Sequence, residues 1–152
     1  MRQTLRTILT VFILAVIVNY PWELAHSPLY EDMSDFSLAS WYCFVASLGD
    51  GLLVLLIFGA GWMALRRSDW FANPGRRGYL LMLAAGLVIG VVVEWAAVHV
   101  MGQWTYAPRM PLIPVLNIGL TPVAQMLALP PLIFRAAAMS HRGDVRNGRG
   151  GG

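Results

Sequence analysis

The chain contains no lysine: all 11 of its basic residues are arginines. It has one cysteine, Cys43, so no disulfide can close within it, and cysteine usage says nothing about the redox compartment. Charge is scarce, 12% of 152 residues against 57% hydrophobic. That balance leaves no stretch with the mixed surface of a soluble domain and is the composition of a membrane protein. A Walker loop, a dinucleotide Gly-rich fingerprint, a Cys/His zinc pattern and a Gly-x-Ser-x-Gly elbow are all missing, which disfavours the soluble-enzyme chemistries they serve. Strict apolar–polar alternation is missing too, so a closed barrel of strands fits poorly.

What is present is four apolar runs, Leu5–Trp22, Phe36–Leu65, Tyr79–Val100 and Leu112–Phe134. Each meets the roughly 20 residues that an α-helix needs to cross hydrocarbon. The reading is an all-α integral membrane protein, a four-helix transmembrane bundle over residues 1–136 with no separate soluble domain. Residues 137–152, which include "SHRGDVRNGRGGG", read as a disordered basic tail.

The arginines set the orientation. Four spans put the amino end, the second connection and the tail on one side, which collects all of them except Arg109. The positive-inside rule then places both termini in the cytoplasm of a multi-pass protein of the bacterial inner membrane. The net charge of +3 is a consequence of topology and calls for no nucleic acid.

Depth follows from the rise of about 1.5 Å per residue. Asn19, Glu23 and His26 fall at the external end of the first span, and Asp50 falls near the middle of the second. Glu94 lies in the outer half of the third with His99 near the surface. Asn117 comes in the outer half of the fourth, with Gln125 close to the midplane. Every ionisable group within a span therefore lies between the midplane and the external face. An acidic residue at a helix centre costs about 2.5–3.5 kcal/mol on insertion scales, so Asp50 and Glu94 are expected to face the bundle interior.

Several stretches carry competing readings. In "VNYPWELAH", Val18–His26, Pro21 cannot donate to the carbonyl of Ile17, so a bend is expected, with Asn19 supplying a substitute hydrogen bond. Asn19, Glu23 and His26 share a face at helical spacing. They are either an interfacial helix end with Trp22 in the aromatic belt, or a carboxylate and imidazole aimed into a cavity. Asp50, flanked by Gly49 and Gly51, is either a partner for a neighbouring helix or a proton donor. Around Glu94, the aromatic residues Trp95, Trp104 and Tyr106 are either belt residues or faces for an apolar or cationic ligand. Gly86 and Gly90 read as a helix contact. Gly119 and Pro122 predict a kink in the fourth span, where Thr121 and Gln125 either rebond a freed carbonyl or point at a substrate. Pro130 and Pro131 are expected to end that helix early.

Glu23 and His26 also have the Glu-x-x-His spacing of di-iron bundles. With Glu94 and His99 they are the only plausible metal ligands. The latter pair are five residues apart, about 140° round a helix, which breaks the pattern. No metal or other cofactor is expected.

The order "PWE", "LGD", "EW", "GQWTYAPRMPLIP" and "GLTPVAQ" resembles a widespread type of small four-span bacterial membrane protein, a likeness that implies the fold and no activity. Pro21, Trp22 and Glu23 also resemble the proline-tryptophan-glutamate element of the membrane-embedded lycopene cyclase domain. That resemblance implies intramembrane acids used for proton-initiated cyclisation; Leu24 stands where a second acidic residue often follows.

The leading expectation is an intramembrane acid–base enzyme of cyclase, isomerase or hydratase type. It would act on an isoprenoid or other membrane lipid from an externally facing pocket. Glu23, Asp50, Glu94 and His99 are its expected catalytic groups; Asn19, Trp22, His26, Trp95, Trp104, Tyr106, Asn117 and Gln125 are expected to line the substrate. The alternatives are a non-enzymatic subunit of a larger membrane complex, with a protein partner or a second copy, and a small proton-coupled carrier.

Overall fold

The computed structural model describes residues 2–31 and 36–147. The chain is 79% helical. Its four long helices are α1 (Arg2–His26), α2 (Phe36–Leu65), α3 (Gly75–Trp95) and α4 (Leu120–Asn147), each long and apolar enough to cross a membrane. The α2 bounds are those read from the sequence. Helix α1 packs on α2 and α4, and α3 packs on α4 and α2, so the four form a ring in chain order. One end of the bundle carries the α1–α2 and α3–α4 connections, here the hairpin end; the other carries the α2–α3 connection, here the terminal end.

The packing is inverted relative to a water-soluble bundle. Leu5, Leu9, Ile13 and Ile17 recur every fourth residue along α1 and are all exposed, as are Leu52, Leu56 and Met63 on α2 and Leu80, Leu87 and Val88 on α3. Asn19, Ser47, Glu94 and Gln125 are buried instead.

Helices α3 and α4 approach closely through the Gly86/Gly90 step. A Cβ on Gly86 would strike the carbonyl oxygen of Met126, and one on Gly90 would lie 3.2 Å from Met126 Cβ. Gly51 similarly receives Phe12 and Val16 of α1, whereas nothing approaches Gly49 within 4 Å.

The half of the core toward the terminal end is apolar. Val54, Ile57, Phe58, Met82, Leu129, Ile133 and Phe134 fill it, together with Trp70 and Phe71. Those last two come from a single 3₁₀ turn, Trp70–Ala72, in the α2–α3 connection, which folds back into the bundle. The Trp70 ring lies 5.3 Å from Phe134, and its indole N–H donates to the Phe58 carbonyl at 3.1 Å. Aromatic rings supply much of the core at this end.

Several sequence expectations are corrected. The fourth helix starts at Leu120, not Leu112. Pro111 and Pro114 cannot donate, and the chain instead forms a two-stranded hairpin, β1 (Leu112–Ile113) on β2 (Ile118–Gly119), with Leu112 opposite Gly119. Pro122 then falls in the first turn of α4, where a missing N–H costs nothing, so Gly119 and Pro122 do not sit mid-span. Pro130 and Pro131 do not end α4, because Leu129, Ile133 and Phe134 around them are buried in the core and hold the helix in place. The boundary at 136 falls inside α4, which continues to Asn147 with Ala137 and Ala138 buried; residues 148–152 lie outside the described residues. Helix α1 also runs on through Pro21, and the Asn19 side chain bonds the carbonyl of Ala15 rather than that of Ile17.

Candidate functional site

The buried polar residues meet near the hairpin end. Gln125, in the second turn of α4, directs its amide nitrogen at three oxygens at once: Asn19 Oδ1 and Glu23 Oε1 from α1, and Asp50 Oδ2 from α2, each at 2.8 Å. Because α4 begins at Leu120, Gln125 lies close to that end and not at the middle of its helix.

Donor counting constrains this arrangement. A side-chain amide nitrogen carries two hydrogens. Asn19 is held as an acceptor, since its own nitrogen donates to the Ala15 carbonyl at 2.8 Å. Three acceptors therefore draw on two hydrogens, and the two carboxyl oxygens lie within twice that distance of one another. The Glu23 and Asp50 carboxyls thus converge on one nitrogen, and a hydrogen carried by either of them relieves the shortage of donors.

His26 extends the group toward the rim. Its Nδ1 lies 2.8 Å from the Trp22 carbonyl. A carbonyl only accepts, so Nδ1 carries the hydrogen, and in the neutral ring Nε2 holds the lone pair. Nε2 faces Glu23 Oε2 at 3.7 Å, just beyond hydrogen-bond reach.

Glu94, 3% exposed at the end of α3, forms a second polar group. Tyr106 Oη donates to Glu94 Oε1, and Trp104 Nε1 approaches the same oxygen at 3.4 Å. The backbone N–H of Gly119 in β2 donates to Tyr106 Oη at 2.8 Å. Space is tight here: a Cβ on Gly119 would sit 3.1 Å from Pro122 Cδ, 3.2 Å from the Tyr106 ring and 3.3 Å from Glu94 Oε1.

The two hairpin-end connections close over both groups. Tyr30 and Tyr106 pair as an antiparallel bridge, flanked by Glu31 N–H to the Thr105 carbonyl at 3.0 Å and Ala107 N–H to the Leu29 carbonyl at 2.9 Å. The Tyr30 ring touches those of His26, Trp104 and Tyr106 at 5.6, 6.0 and 5.8 Å. Burial first, then the carboxyls of Glu94 and Glu23, hold the Tyr30 phenol well above its ordinary range. Burial and the bond to Glu94 do the same for Tyr106. Both phenols are thus donors throughout the physiological range.

Of the residues singled out from the sequence, the structure gathers Asn19, Glu23, His26, Asp50 and Gln125 into one group and Glu94, Trp104 and Tyr106 into an adjoining one. His99 stays apart: it is exposed, bonds the Leu116 carbonyl at 3.0 Å and stacks on Trp95, itself exposed, at 5.8 Å. Asn117 is an exposed turn residue at φ 50°, not part of a helix. Trp22 lies beside the polar group with its indole N–H buried and without a partner among the described residues. Thr121 donates to the sulfur of Met110 at 3.4 Å and rebonds no carbonyl. Glu23, His26, Glu94 and His99 do not converge, and no group of three or more His, Cys, Asp or Glu placed to hold a metal ion occurs among the described residues. Tyr30 was not foreseen, and only its place in the connection after the first span could have signalled it.

A groove of about 590 Å³ also opens on the outer flank between α1 and α2. Val16, Ile17, Tyr20, Ser40, Trp41 and Phe44 line it.

No family model matches the chain, and comparison with curated proteins and with solved structures finds no match either. The functional reading therefore rests on the geometry.

Proposed function

We propose that this is a multi-pass protein of the bacterial inner membrane, with both termini cytoplasmic and its hairpin end outward. It acts as an acid–base catalyst on an apolar, lipid-dissolved substrate of isoprenoid or similar type. The observation that carries this reading is the convergence of the Glu23 and Asp50 carboxyls, from two helices, on the single nitrogen of Gln125. A carboxyl pair sharing a hydrogen in an apolar bundle is a proton donor matched to a substrate that has no polar handle.

In this reading the pair protonates a carbon–carbon double bond. The faces of Tyr30, Trp104 and Tyr106 stabilise the resulting cation, and Glu94, oriented by Tyr106 and Trp104, takes a proton from a neighbouring carbon or from water. The first outcome of loss is cyclisation or isomerisation; the second is hydration. Access from lipid is supported at Asp50, which is only half-buried, beside Gly49, where no atom comes within 4 Å of a Cβ position.

The test is the lipid extract of cells carrying wild type or the Asp50→Asn, Glu94→Gln double variant at equal membrane levels. The expected result is a lipid product absent from the variant. Indistinguishable extracts would remove the enzyme reading.

A second reading, a non-enzymatic subunit of a larger membrane complex, is favoured by the α1–α2 groove, whose exposed Trp41 and Phe44 form a seat for another apolar helix. A stoichiometric partner in mild detergent, lost on Trp41→Ala, is its expected mark. A proton-coupled carrier draws less support, since the core toward the terminal end is dominated by apolar side chains among the described residues.

A further inference from the structure

The acid–base reading leaves open how a buried carboxyl pair regains its proton after each turnover. We infer that Glu23 and His26 relay protons between the hairpin-end rim and Asp50, so that the pair is recharged from that side of the membrane alone. The inference rests on the acid–base reading for its purpose, but its geometry stands independently.

Three observations carry it. First, the groups stand in order from rim to interior: His26 Nε2 lies 3.7 Å from Glu23 Oε2, and the Glu23 and Asp50 carboxyls meet at the Gln125 nitrogen, each at 2.8 Å. Second, Glu23 and His26 keep 14% and 8% of their side-chain surface, and both lie in the last turn of α1, at the hairpin end. Third, the opposite direction is closed. Below Asp50 the core runs through Val54, Ile57, Phe58, Ile133 and Phe134 to the Trp70–Phe71 plug, and the one polar side-chain atom that plug brings, the indole nitrogen of Trp70, is spent on the Phe58 carbonyl.

The fixed tautomer defines the steps. With Nδ1–H committed to the Trp22 carbonyl, the ring exchanges protons only at Nε2. A hydronium or buffer acid at the rim protonates Nε2, giving imidazolium. The imidazolium returns that proton to a Glu23 carboxylate oxygen and becomes neutral. Glu23 then passes a proton to the Asp50 carboxylate and is itself ionised again, ready for the next. No group other than the rim acid is consumed. His26 acts on the carboxyl pair and not on substrate, so it is a relay residue in this scheme, and Glu23 is the member of the pair that receives its proton.

Hydrogen–deuterium exchange of the carboxyl pair, followed by infrared spectroscopy of the protein in lipid films after a switch to D2O, tests this without any substrate. The C=O stretch that disappears in Asp50→Asn identifies the band. The prediction is that its deuterium shift slows tenfold or more in Glu23→Gln and in His26→Gln, and that added imidazole restores the rate in His26→Gln. Wild-type exchange rates in both variants would overturn the relay, as would slow exchange in His26→Gln that imidazole does not rescue. Absence of any band sensitive to Asp50→Asn would also overturn it. Failure here is distinguishable from failure of the enzyme reading, which is judged on lipid extracts alone.

Discussion

Replacing Gln125 by leucine would leave Asn19, Glu23 and Asp50 facing one another with their common donor gone. Each stranded buried group costs about 1–3 kcal/mol, so Gln125→Leu is expected to lower stability by on the order of 3 kcal/mol or more. Thermal unfolding in detergent measures it, and a midpoint within a degree or two of wild type would mean that the amide is not the hub. The phenols make a second prediction at this scale. An unfolded tyrosine ionises near pH 10, whereas Tyr30 and Tyr106 in the folded chain hold their protons to higher pH. Above pH 10 the folded state therefore binds more protons than the unfolded one, and stability falls as pH rises. Their contribution is fully present below about pH 10. Alkaline titration at the tyrosinate band should show that Tyr30→Phe with Tyr106→Phe removes no amplitude below about pH 11; amplitude lost near pH 10 would place the phenols in water. Glu23, Asp50 and Glu94 were legible in the sequence because an acid in an apolar run is conspicuous. Their partners were less so. That Gln125 serves three oxygens depends on α4 starting at Leu120, and that depends on a hairpin too short to leave a strand signal.

Helix contacts were the most legible feature at the scale of elements. The Gly86/Gly90 step faces α4 as its spacing implied, and Gly86→Leu should cost about 1–3 kcal/mol, because the obstruction is the Met126 backbone and cannot rotate away. Gly49→Leu is the control: nothing lies within 4 Å, and little change in thermal midpoint is expected. Equal losses in the two would contradict the α3–α4 packing. The prolines misled where their context was tertiary. Pro130 and Pro131 read as a stop, yet Ile133 and Phe134 are fully packed and hold the helix through them. The Trp70–Phe71 plug was invisible for a similar reason: "SDWFANPG" has the composition of a loop, and only the cavity between α2 and α4 makes burying two of its rings favourable.

At the scale of the whole molecule, the inverted surface and the one-sided arginines point to the same arrangement. Reporter fusions after Asn147 and in the α2–α3 connection should both report the cytoplasm, and one in the α3–α4 connection the opposite side; a split between the first two would contradict the four-span topology. The candidate site was only partly legible. The sequence pointed to acids between the midplane and one face, but His99 and Asn117 stand outside the group: His99 falls in a π-helical turn, Ala96–Val100, that continues α3 and leaves it exposed, and Asn117 falls in the hairpin turn. The most direct test of the central claim, that the Glu23–Asp50 pair delivers a proton to carbon, is mass spectrometry of lipids from cells pulsed with D2O, comparing wild type with Asp50→Asn. The account predicts a lipid that gains one carbon-bound, non-exchangeable deuteron per turnover in wild type and none in the variant. The same labelling pattern in both would contradict it.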